Sequence, residues 1–371
     1  ESGVPKVWQT APVVSHGKVW NDLTYGDLEE RVHLFAGALL DEYMKGDAMG
    51  KMFNFPKPEV VQRRRYWNDK EFEDVMMKAA QLSAKFGSTY YDNNIPAYRG
   101  GDDGVSCFQC CAYAFSEDGK SENFQKKVLF ENSAHFSMGA MQVVTLNMPR
   151  LAYKSGGDET KLVEIMRQTM VTAKEAHLLK HSLMKRQFDK GLIPFASQRP
   201  KGAPPVVDIG NLSSTIGFVG VNEMVEYMTG YQLHEDASAQ KLALRVLIEM
   251  DKVRKEFSDS TGIKFSIART PAESAAQRFA VSDMIHYGKF AKELVKGDLE
   301  AALPRYKESR DVPIYYTNGA HINTAAAVPV NERLAVEQRF FPILKGGDIF
   351  HVWLGEVNPD PEALLKLNRA L

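Results

Sequence analysis

The chain has 371 residues, 44% of them hydrophobic and 25% charged, a composition that suits one large α/β domain or two to three smaller ones. Its 46 lysines and arginines balance 47 acids, which argues against a basic surface for nucleic acid. Because no apolar run reaches the roughly 18 residues of a membrane helix and the N-terminus lacks a signal-peptide pattern, we expect no membrane contact and a cytoplasmic location.

Two amphipathic helices are predicted in the first quarter of the chain. Apolar residues recur with the helical period over residues 25–45, where Gly46 ends the pattern, and over residues 70–86, where Gly87 does. The polar, glycine-rich stretch 92–104 is predicted to be an exposed loop. This loop leads directly into the cysteines of the chain.

All three cysteines fall within five residues, at Cys107, Cys110 and Cys111. Alternating apolar residues around them, such as Phe108 and Tyr113, predict a strand. Free cysteine is often buried and inert, but an adjacent pair with a third close by also suits thiol, radical or metal chemistry. Spacing alone therefore leaves a structural and a chemical role open. Cysteines this close together cannot form disulfides that link distant elements, so a reducing compartment fits best.

A strand and a long helix are predicted in the middle of the chain, over residues 140–146 and 159–190. His177 and His181 lie one turn apart on this helix, the spacing of some metal ligands. No third ligand accompanies them, so a core or surface role is the better interpretation. We predict no metal site.

Strands and helices continue to alternate through the second half. Strands are predicted at residues 215–220, 263–268, 312–316 and 348–354, and helices from Asn222, over residues 237–259 and from Pro361. A further helix is predicted to begin at Thr270, with Thr270 as its N-cap, Pro271 in its first turn and Glu273 completing a capping box. This alternation favours a parallel or mixed sheet wrapped by helices, and an α/β barrel or half-barrel in particular.

Two segments have the character of a phosphate site. In α/β folds ligands gather at the carboxyl ends of strands, where helix N-termini present free N–H groups. Residues 211–217 bring hydroxyls and small residues beside a strand, and residues 270–274 offer the amides of a helix start with two hydroxyls. Helix capping alone would also explain the second segment. Weaker signals are the polar strand end at 315–319 and the paired glycines at 346–347, which permit close backbone approach.

Taken in order, seven segments resemble the catalytic subunit of anaerobic, class III ribonucleotide reductases, which are glycyl-radical enzymes. They are residues 46–56, Cys110 with Cys111, and residues 143–151, 214–223, 270–274, 316–318 and 346–356. The resemblance runs from about residue 25 to the C-terminus. Each segment is a weak signal, whereas seven in sequence order are specific.

The resemblance implies an α/β fold of one domain over residues 1–371, an incomplete ten-stranded α/β barrel of the ribonucleotide reductase and glycyl-radical type. It implies that a thiyl radical on a finger loop abstracts the ribose 3′ hydrogen, which turns ribonucleotides into deoxyribonucleotides. The thiyl would come from a glycyl radical outside this chain. A partner radical-SAM activase, which holds S-adenosylmethionine and an iron–sulfur cluster, would generate that radical, so no cofactor is expected to bind this chain directly.

The resemblance also implies the roles of particular residues. Cys110 and Cys111 match the paired catalytic cysteines of the family. The residues expected to bind the ribonucleotide substrate are Ser213, Ser214, Thr270, Ala272, Glu273, Ser274 and Asn318. The thiyl cysteine is expected within residues 214–228, where this sequence has none.

The two ends of the chain depart from the family pattern. Against the family pattern, we expect the N-terminal regulatory module and the C-terminal glycyl-radical domain to be absent from this chain, which begins without Met. We therefore expect a fragment or one part of a split protein, inactive alone, completed by a separate glycyl-radical polypeptide and forming a homodimer. The alternatives are a catalytically silent nucleotide-binding or assembly subunit, and a glycyl-radical enzyme of the pyruvate formate-lyase type.

Overall fold

The computed structural model describes residues 3–15, 18–99, 101, 104–109, 113–118, 139–198 and 207–371, with the backbone alone at residues 7, 14–15, 104–109 and 113–118. The strands are β1 Pro12–Ser15, β2 Lys18–Thr24, β3 Glu59–Gln62, β4 Tyr90–Asn93, β5 Gly104–Gln109, β6 Tyr113–Asp118, β7 Ala140–Asn147, β8 Ser213–Val219, β9 Phe265–Arg269, β10 Lys296–Gly297 and β11 Ile314–Tyr315. The helices are α1 Glu29–Lys45, α2 Lys70–Phe86, α3 Met148–Ser155, α4 Glu159–Asp189, α5 Pro194–Ser197, α6 Val221–Thr229, α7 Ala237–Thr261, α8 Glu273–His286, α9 Gly288–Leu294, α10 Leu299–Ala302, α11 Val330–Glu337 and α12 Pro361–Ala370.

A parallel sheet in the order β7-β8-β9 organises the second half of the chain. Parallel neighbours need a crossover, and helices supply both: α3 and α4 lie between β7 and β8, and α6 and α7 between β8 and β9. Strands β3 and β4 form a second parallel pair, and α2 connects them. All of these crossovers place the carboxyl ends of neighbouring strands at one edge of their sheet.

One face of the β7-β8-β9 sheet carries the largest hydrophobic core of the described residues. Since side chains alternate along a strand, Leu146, Ile216 and Ile267 share this face, and register pairs Val144 with Ile216 and Ile267. Helices α4 and α7 cover it with fully buried residues such as Met166 and Met250. The long α4 therefore owes its position to a periodic apolar stripe that the sequence displays plainly.

Two smaller cores complete the described structure. Helices α8 and α9 enclose one with β11, centred on Ala280 and Ile314. Helices α1 and α2 enclose the other with β3, centred on Leu40 and Phe72. In the described part of the chain, no helix is both long enough and apolar enough to cross a membrane.

Most of the predicted helices are confirmed within a few residues, including those at 25–45, 70–86, 159–190 and 237–259. Two predicted strands are wrong or too long. Residues 348–354 have no regular secondary structure, although 346–347 bond to the edge of β9, and the strand at 312–316 shrinks to Ile314–Tyr315, paired with β10. The described strands form five sheets of two or three strands in a mixed α/β fold. The ten-stranded barrel is not seen among these sheets and stays a prediction.

Candidate active site

The second face of the β7-β8-β9 sheet is small and polar. Ser213, Thr215 and Gly217 of β8 point to this face, next to Ser266 of β9. The Ser266 hydroxyl lies 2.8 Å from the Ser213 hydroxyl and 3.0 Å from that of Thr215. These short side chains satisfy one another and allow other segments to pack closely onto this face.

Thr270 closes over this face immediately after β9. A Cβ atom built on Gly217 would lie 1.6 Å from the Thr270 hydroxyl oxygen and 3.2 Å from that of Thr145. Only glycine at position 217 therefore allows Thr270 to lie across the sheet. Thr270 is 7% exposed, and its buried hydroxyl has no hydrogen-bond partner among the described residues. A buried hydroxyl without a hydrogen-bond partner costs free energy unless a ligand forms a hydrogen bond with it.

Asn318 reaches the same edge from a different part of the chain. It forms an isolated antiparallel bridge with Val219, the last residue of β8. The next residue, Gly319, has φ +51° and lies against Arg269, where an added Cβ would stand 2.4 Å from Cγ of that arginine. The side-chain carbonyl oxygen of Asn318 is buried and has no partner among the described residues. The structure thus brings Thr270 and Asn318, both predicted from the sequence, to one edge.

Helix α8 starts at this edge, but not as predicted. The helix begins at Glu273, and its N-cap is Ala272, which makes no side-chain capping bond. The predicted N-cap at Thr270 and its capping box with Glu273 are therefore wrong, because the Thr270 hydroxyl lies over Gly217, two residues too early. Without a capping side chain, the N–H groups of the first turn have no acceptor from their own helix.

The first turn of α8 can hold an anion. The side chains of Glu273 and Ser274 are exposed, and their N–H groups belong to the turn whose positive dipole end faces the sheet edge. The Glu273 carboxylate would repel a phosphate, so only its backbone can serve. Ser274 can add its hydroxyl.

Ser213 and Ser214 are not brought together. Successive residues of a strand point to opposite faces, so Ser213 lies on the polar face and Ser214 on the face that the helices cover. Ser214 is 1% exposed. Of the two, only Ser213 lies on the face that the candidate site uses.

Cys110 and Cys111 lie outside the described residues. The predicted strand is confirmed only in part, because the described residues on either side of them form two strands: β5, which contains Cys107, pairs antiparallel with β6, and Gln109 is opposite Tyr113. Their catalytic role stays a prediction.

A buried charged cluster behind the site was not predicted from the sequence. Arg269, the last residue of β9, is 1% exposed, and its Nη2 donates to Glu337 at 2.8 Å and to the carbonyl oxygen of Ile349 at 2.9 Å. Its Nε also lies 2.8 Å from a carboxylate oxygen of Asp348, an ion pair without hydrogen-bond alignment. The cluster joins β9, α11 and the segment after Gly347.

His321 completes the cluster as a neutral ring. Burial, together with the nearby Arg269 cation, lowers its pKa to about 3. Nδ1 lies 2.9 Å from Glu337, so we assign the proton to Nδ1, and Nη2 of Arg269 lies against both ring nitrogens, 2.7 Å from Nε2. The ring therefore lies between the guanidinium and the carboxylate.

The two carboxyl groups beside Arg269 behave in opposite ways. Burial alone would raise the pKa of Glu337, but hydrogen bonding from His321 and the Arg269 charge outweigh it and hold the pKa at about 2. Burial raises the pKa of Asp348 to about 7, and Arg269 offsets only part of that effect. Glu337 also accepts the Ile322 N–H at 3.0 Å. Glu337 is thus the permanent counterion, and Asp348 changes its charge near neutral pH.

A sequence signal for this cluster does exist. Arg269 ends a strand whose other residues are apolar or small, and a charged residue in a buried strand needs a partner. Its partners, however, lie 52 to 80 residues further along the chain. No local pattern identifies partners at such distances.

Two further buried carboxyl groups anchor the neighbouring strand ends. Asp283 accepts from Asn147, the last residue of β7, at 2.9 Å and from Tyr316 at 3.1 Å. Glu223 accepts the Thr317 N–H at 3.1 Å. Burial raises the pKa of both carboxyl groups. Both residues are fully buried, so they hold the edge in place rather than contact a ligand.

A cavity of about 490 Å³ lies elsewhere, between β3, β4, the end of α2, α12 and residues 345–354. Its described lining includes Gln62, Tyr98 and Asp348 but none of the residues predicted to bind substrate. Among the described residues, buried polar atoms without a hydrogen-bond partner occur both here, on Asp348 and Asn368, and at the carboxyl edge. We place the candidate site at that edge because Thr270 and Asn318, both predicted from the sequence, meet there.

His177 has a structural role, as predicted. It is 1% exposed, and Nε2 lies 3.1 Å from the carbonyl oxygen of Thr215, which ties α4 to β8. Burial lowers its pKa. The described residues contain no group of three or more acidic, histidine or cysteine side chains that could hold a metal ion.

Comparison with known proteins gives a consistent family. The family model described as anaerobic ribonucleoside-triphosphate reductase matches residues 7–371. The enzyme of that name from Salmonella typhimurium is 21% identical over 224 residues, which are 58% of this chain and 29% of the relative. That of Enterobacteria phage T4 is 25% identical over 235 residues, 60% of this chain and 34% of the relative.

Solved structures show a similar fold. The anaerobic ribonucleotide reductase from Thermotoga maritima with glycerol in the active site superimposes with a TM-score of 0.66 at 18% identity, over 98% of this chain and 53% of that one. The complex of that enzyme with dATP and CTP superimposes with a TM-score of 0.63 at 18% identity, over 94% of this chain and 51% of that one. The chain thus spans about half the length of these structures and about a third of the curated relatives.

Proposed function

The chain belongs to the anaerobic ribonucleoside-triphosphate reductase family, and from that premise we propose that it supplies the nucleotide-binding core of an enzyme that converts ribonucleotides to deoxyribonucleotides. The described residues would bind the substrate, and segments that lie outside them or outside this chain would supply the radical. The chain alone would then be inactive.

The carboxyl edge of β8 and β9 is the observation that carries this proposal. Thr270 and Asn318 present a donor and an acceptor that are buried and have no partner among the described residues, and the first turn of α8 presents N–H groups beside them. Polar groups of a sugar can satisfy the first two, and a phosphate suits the helix turn. A ribose 5′-phosphate places these two kinds of group next to each other.

Each predicted residue takes a part in this arrangement. The triphosphate would lie on the backbone of Ala272 to Ser274, with the Ser274 hydroxyl as an additional donor. The ribose would lie against Thr270 and Asn318 at the carboxyl edge, beside the polar face that contains Ser213. Ser214 would act only through packing, since it points to the helices.

The radical chemistry of the family would need further parts. Cys110 and Cys111 would act as the paired catalytic cysteines of the family, while a thiyl formed by a glycyl radical from another segment or polypeptide would remove the ribose 3′ hydrogen. A radical-SAM activase would act on that partner rather than on this chain. A complete ten-stranded barrel, a homodimer and a cytoplasmic location belong to the same proposal.

Isothermal titration calorimetry with ribonucleoside triphosphates tests the site. We expect the wild-type chain to bind, and Thr270→Ala and Ser274→Ala each to weaken binding by about tenfold, the effect of one hydrogen bond to a ligand. Thr172→Ala is the matched control, because the Thr172 hydroxyl is exposed on α4 and donates to the helix carbonyl of Gln168 at 3.3 Å, away from the candidate site.

The outcomes separate the candidate functions. Absence of binding by the wild-type chain would contradict the proposal, and so would equal weakening by the control. If binding is confirmed, formation of deoxynucleotides after addition of a glycyl-radical partner and its activase distinguishes an enzyme core from a silent subunit.

A further inference from the structure

The Arg269 cluster connects the two turns that carry the unpartnered polar atoms. Thr270 follows Arg269 directly, and Asn318 lies three residues before His321. The N–H of His321 donates to the carbonyl oxygen of Asn318 at 3.1 Å, which closes that turn. A shift of the Arg269 or His321 side chain would therefore move one turn relative to the other.

Glu337 is the residue that holds both sides. One of its oxygens accepts from Arg269 at 2.8 Å and from His321 at 2.9 Å, and the other accepts the Ile322 N–H at 3.0 Å. All three bonds depend on a single carboxylate at the end of α11. Arg333, one turn earlier on the same helix, donates to the Ile322 carbonyl oxygen at 3.0 Å and reinforces this attachment.

Stability alone is a poor explanation for such a cluster. Arg269 and Glu337 are each 1% exposed, and the desolvation of a buried ion pair largely cancels its attraction. Apolar side chains of similar volume commonly stabilise a core as well or better. What a fixed guanidinium and carboxylate add is a defined geometry, because their bonds are directional.

We propose that Arg269, His321 and Glu337 are positioning residues that set the spacing between Thr270 and Asn318, and thereby the affinity of the site for the ribose of a nucleotide. The inference rests on the proposed function and deepens it. None of the three side chains needs to touch the ligand. They act through the two turns to which they are bonded.

Nucleotide affinity and stability, measured together, test the inference. Glu337→Gln keeps the volume but leaves the Arg269 charge without its main counterion, and we expect about tenfold weaker binding of a ribonucleoside triphosphate by calorimetry. Glu29→Gln is the control, because Glu29 also pairs with an arginine and a backbone N–H, accepting from Arg65 at 3.0 Å and from the Val4 N–H at 3.2 Å, but in the N-terminal region and partly exposed. The control should lose stability without losing affinity.

The double variant Arg269→Met with Glu337→Leu separates positioning from stability. It removes both charges together, so we expect its thermal unfolding midpoint to return to near the wild-type value. If the cluster positions the two turns, affinity stays weak in this stable protein. Recovery of wild-type affinity together with stability would overturn the inference, as would unchanged affinity in Glu337→Gln. A wild-type chain that binds no nucleotide would instead overturn the proposed function, and this inference with it.

Discussion

At the scale of single residues, Gly217 decides whether Thr270 can lie over the sheet. Gly217→Ala would place a methyl group on the Thr270 hydroxyl, since the Cβ position is 1.6 Å from that oxygen. We expect a loss of about 1–3 kcal/mol of unfolding free energy, typical of overpacking, together with weaker nucleotide binding.

Gly288→Ala is the control for this substitution. An added Cβ at Gly288 meets nothing within 4 Å, and the residue opens α9. Alanine at position 288 should leave the free energy of unfolding unchanged or raise it by up to about 1 kcal/mol, because alanine favours the helix more than glycine does. Urea denaturation of both variants measures the difference. Equal stability of the two variants would mean that Thr270 does not occupy the described position.

Asp348 should make stability depend on pH in a defined direction. Its pKa is raised from 3.8 to about 7 by burial, so the folded protein keeps a proton that the unfolded chain releases near pH 4. Stability from this group is complete below about pH 4 and is lost as the pH rises toward 7. The expected loss is on the order of a few kcal/mol.

The Asp348→Asn variant isolates this contribution. Other groups also titrate in this range, among them Glu59, whose pKa burial raises to about 7. The measured quantity is therefore the difference between wild-type and variant urea midpoints at pH 4, 5.5 and 7. The urea midpoint of the variant should rise relative to that of the wild type as the pH rises. A constant difference would show that Asp348 titrates normally.

At the scale of elements, the boundaries of the long helices could be predicted and those of the short strands could not. A 31-residue helix such as α4 carries its buried face in many repeats, whereas β11 has two residues and owes its existence to pairing with β10. The N-terminal hairpin β1-β2 was not predicted at all. Its pairing, like that of β11, depends on partners rather than on local sequence.

The predicted strand at 348–354 failed for a similar reason. The pattern is apolar and partly β-branched, but in the described structure only the preceding glycines meet a strand: the Gly346 N–H donates to Ile267 at 2.9 Å, and the Arg269 N–H to Gly347 at 3.0 Å. This close approach requires glycine at position 346, since a Cβ atom there would lie 2.6 Å from the Ile267 carbonyl oxygen. The predicted close approach at the paired glycines is therefore confirmed.

Hydrogen exchange measured by NMR tests this account of the segment. The amides of Gly346 and Arg269 should exchange slowly, since both are bonded at the sheet edge, and those of residues 350–354 should exchange faster. Protection of residues 350–354 equal to that of β9 would contradict the description. Such protection would also favour a further barrel strand at that position.

At the scale of the whole molecule, the sequence predicted the mixed α/β class and two of the residues that meet at the candidate site. Thr270 and Asn318 were found through motifs, and the structure brings them to one edge. The cluster of Arg269, His321 and Glu337 behind them could not be predicted, because its members are distant in sequence and follow no local period. A positioning role of this kind becomes visible only in three dimensions.

The length that the chain shares with known reductases bears on what can be said of its function. It covers about half of the solved reductases and about a third of the curated ones, with identities of 18–25%. Membership of the family is shown over residues 7–371. Ribonucleotide reduction by an assembly that includes this chain is the proposal that such membership supports.

A crystal structure of the chain with a bound ribonucleoside triphosphate would show whether the carboxyl edge of β8 and β9 binds the nucleotide. We expect phosphate oxygens on the N–H groups of the first turn of α8 and ribose hydroxyls bonded to Thr270 and Asn318. A nucleotide bound elsewhere, for example in the cavity lined by Gln62 and Tyr98, with the Thr270 and Asn318 atoms still unpartnered, would contradict it.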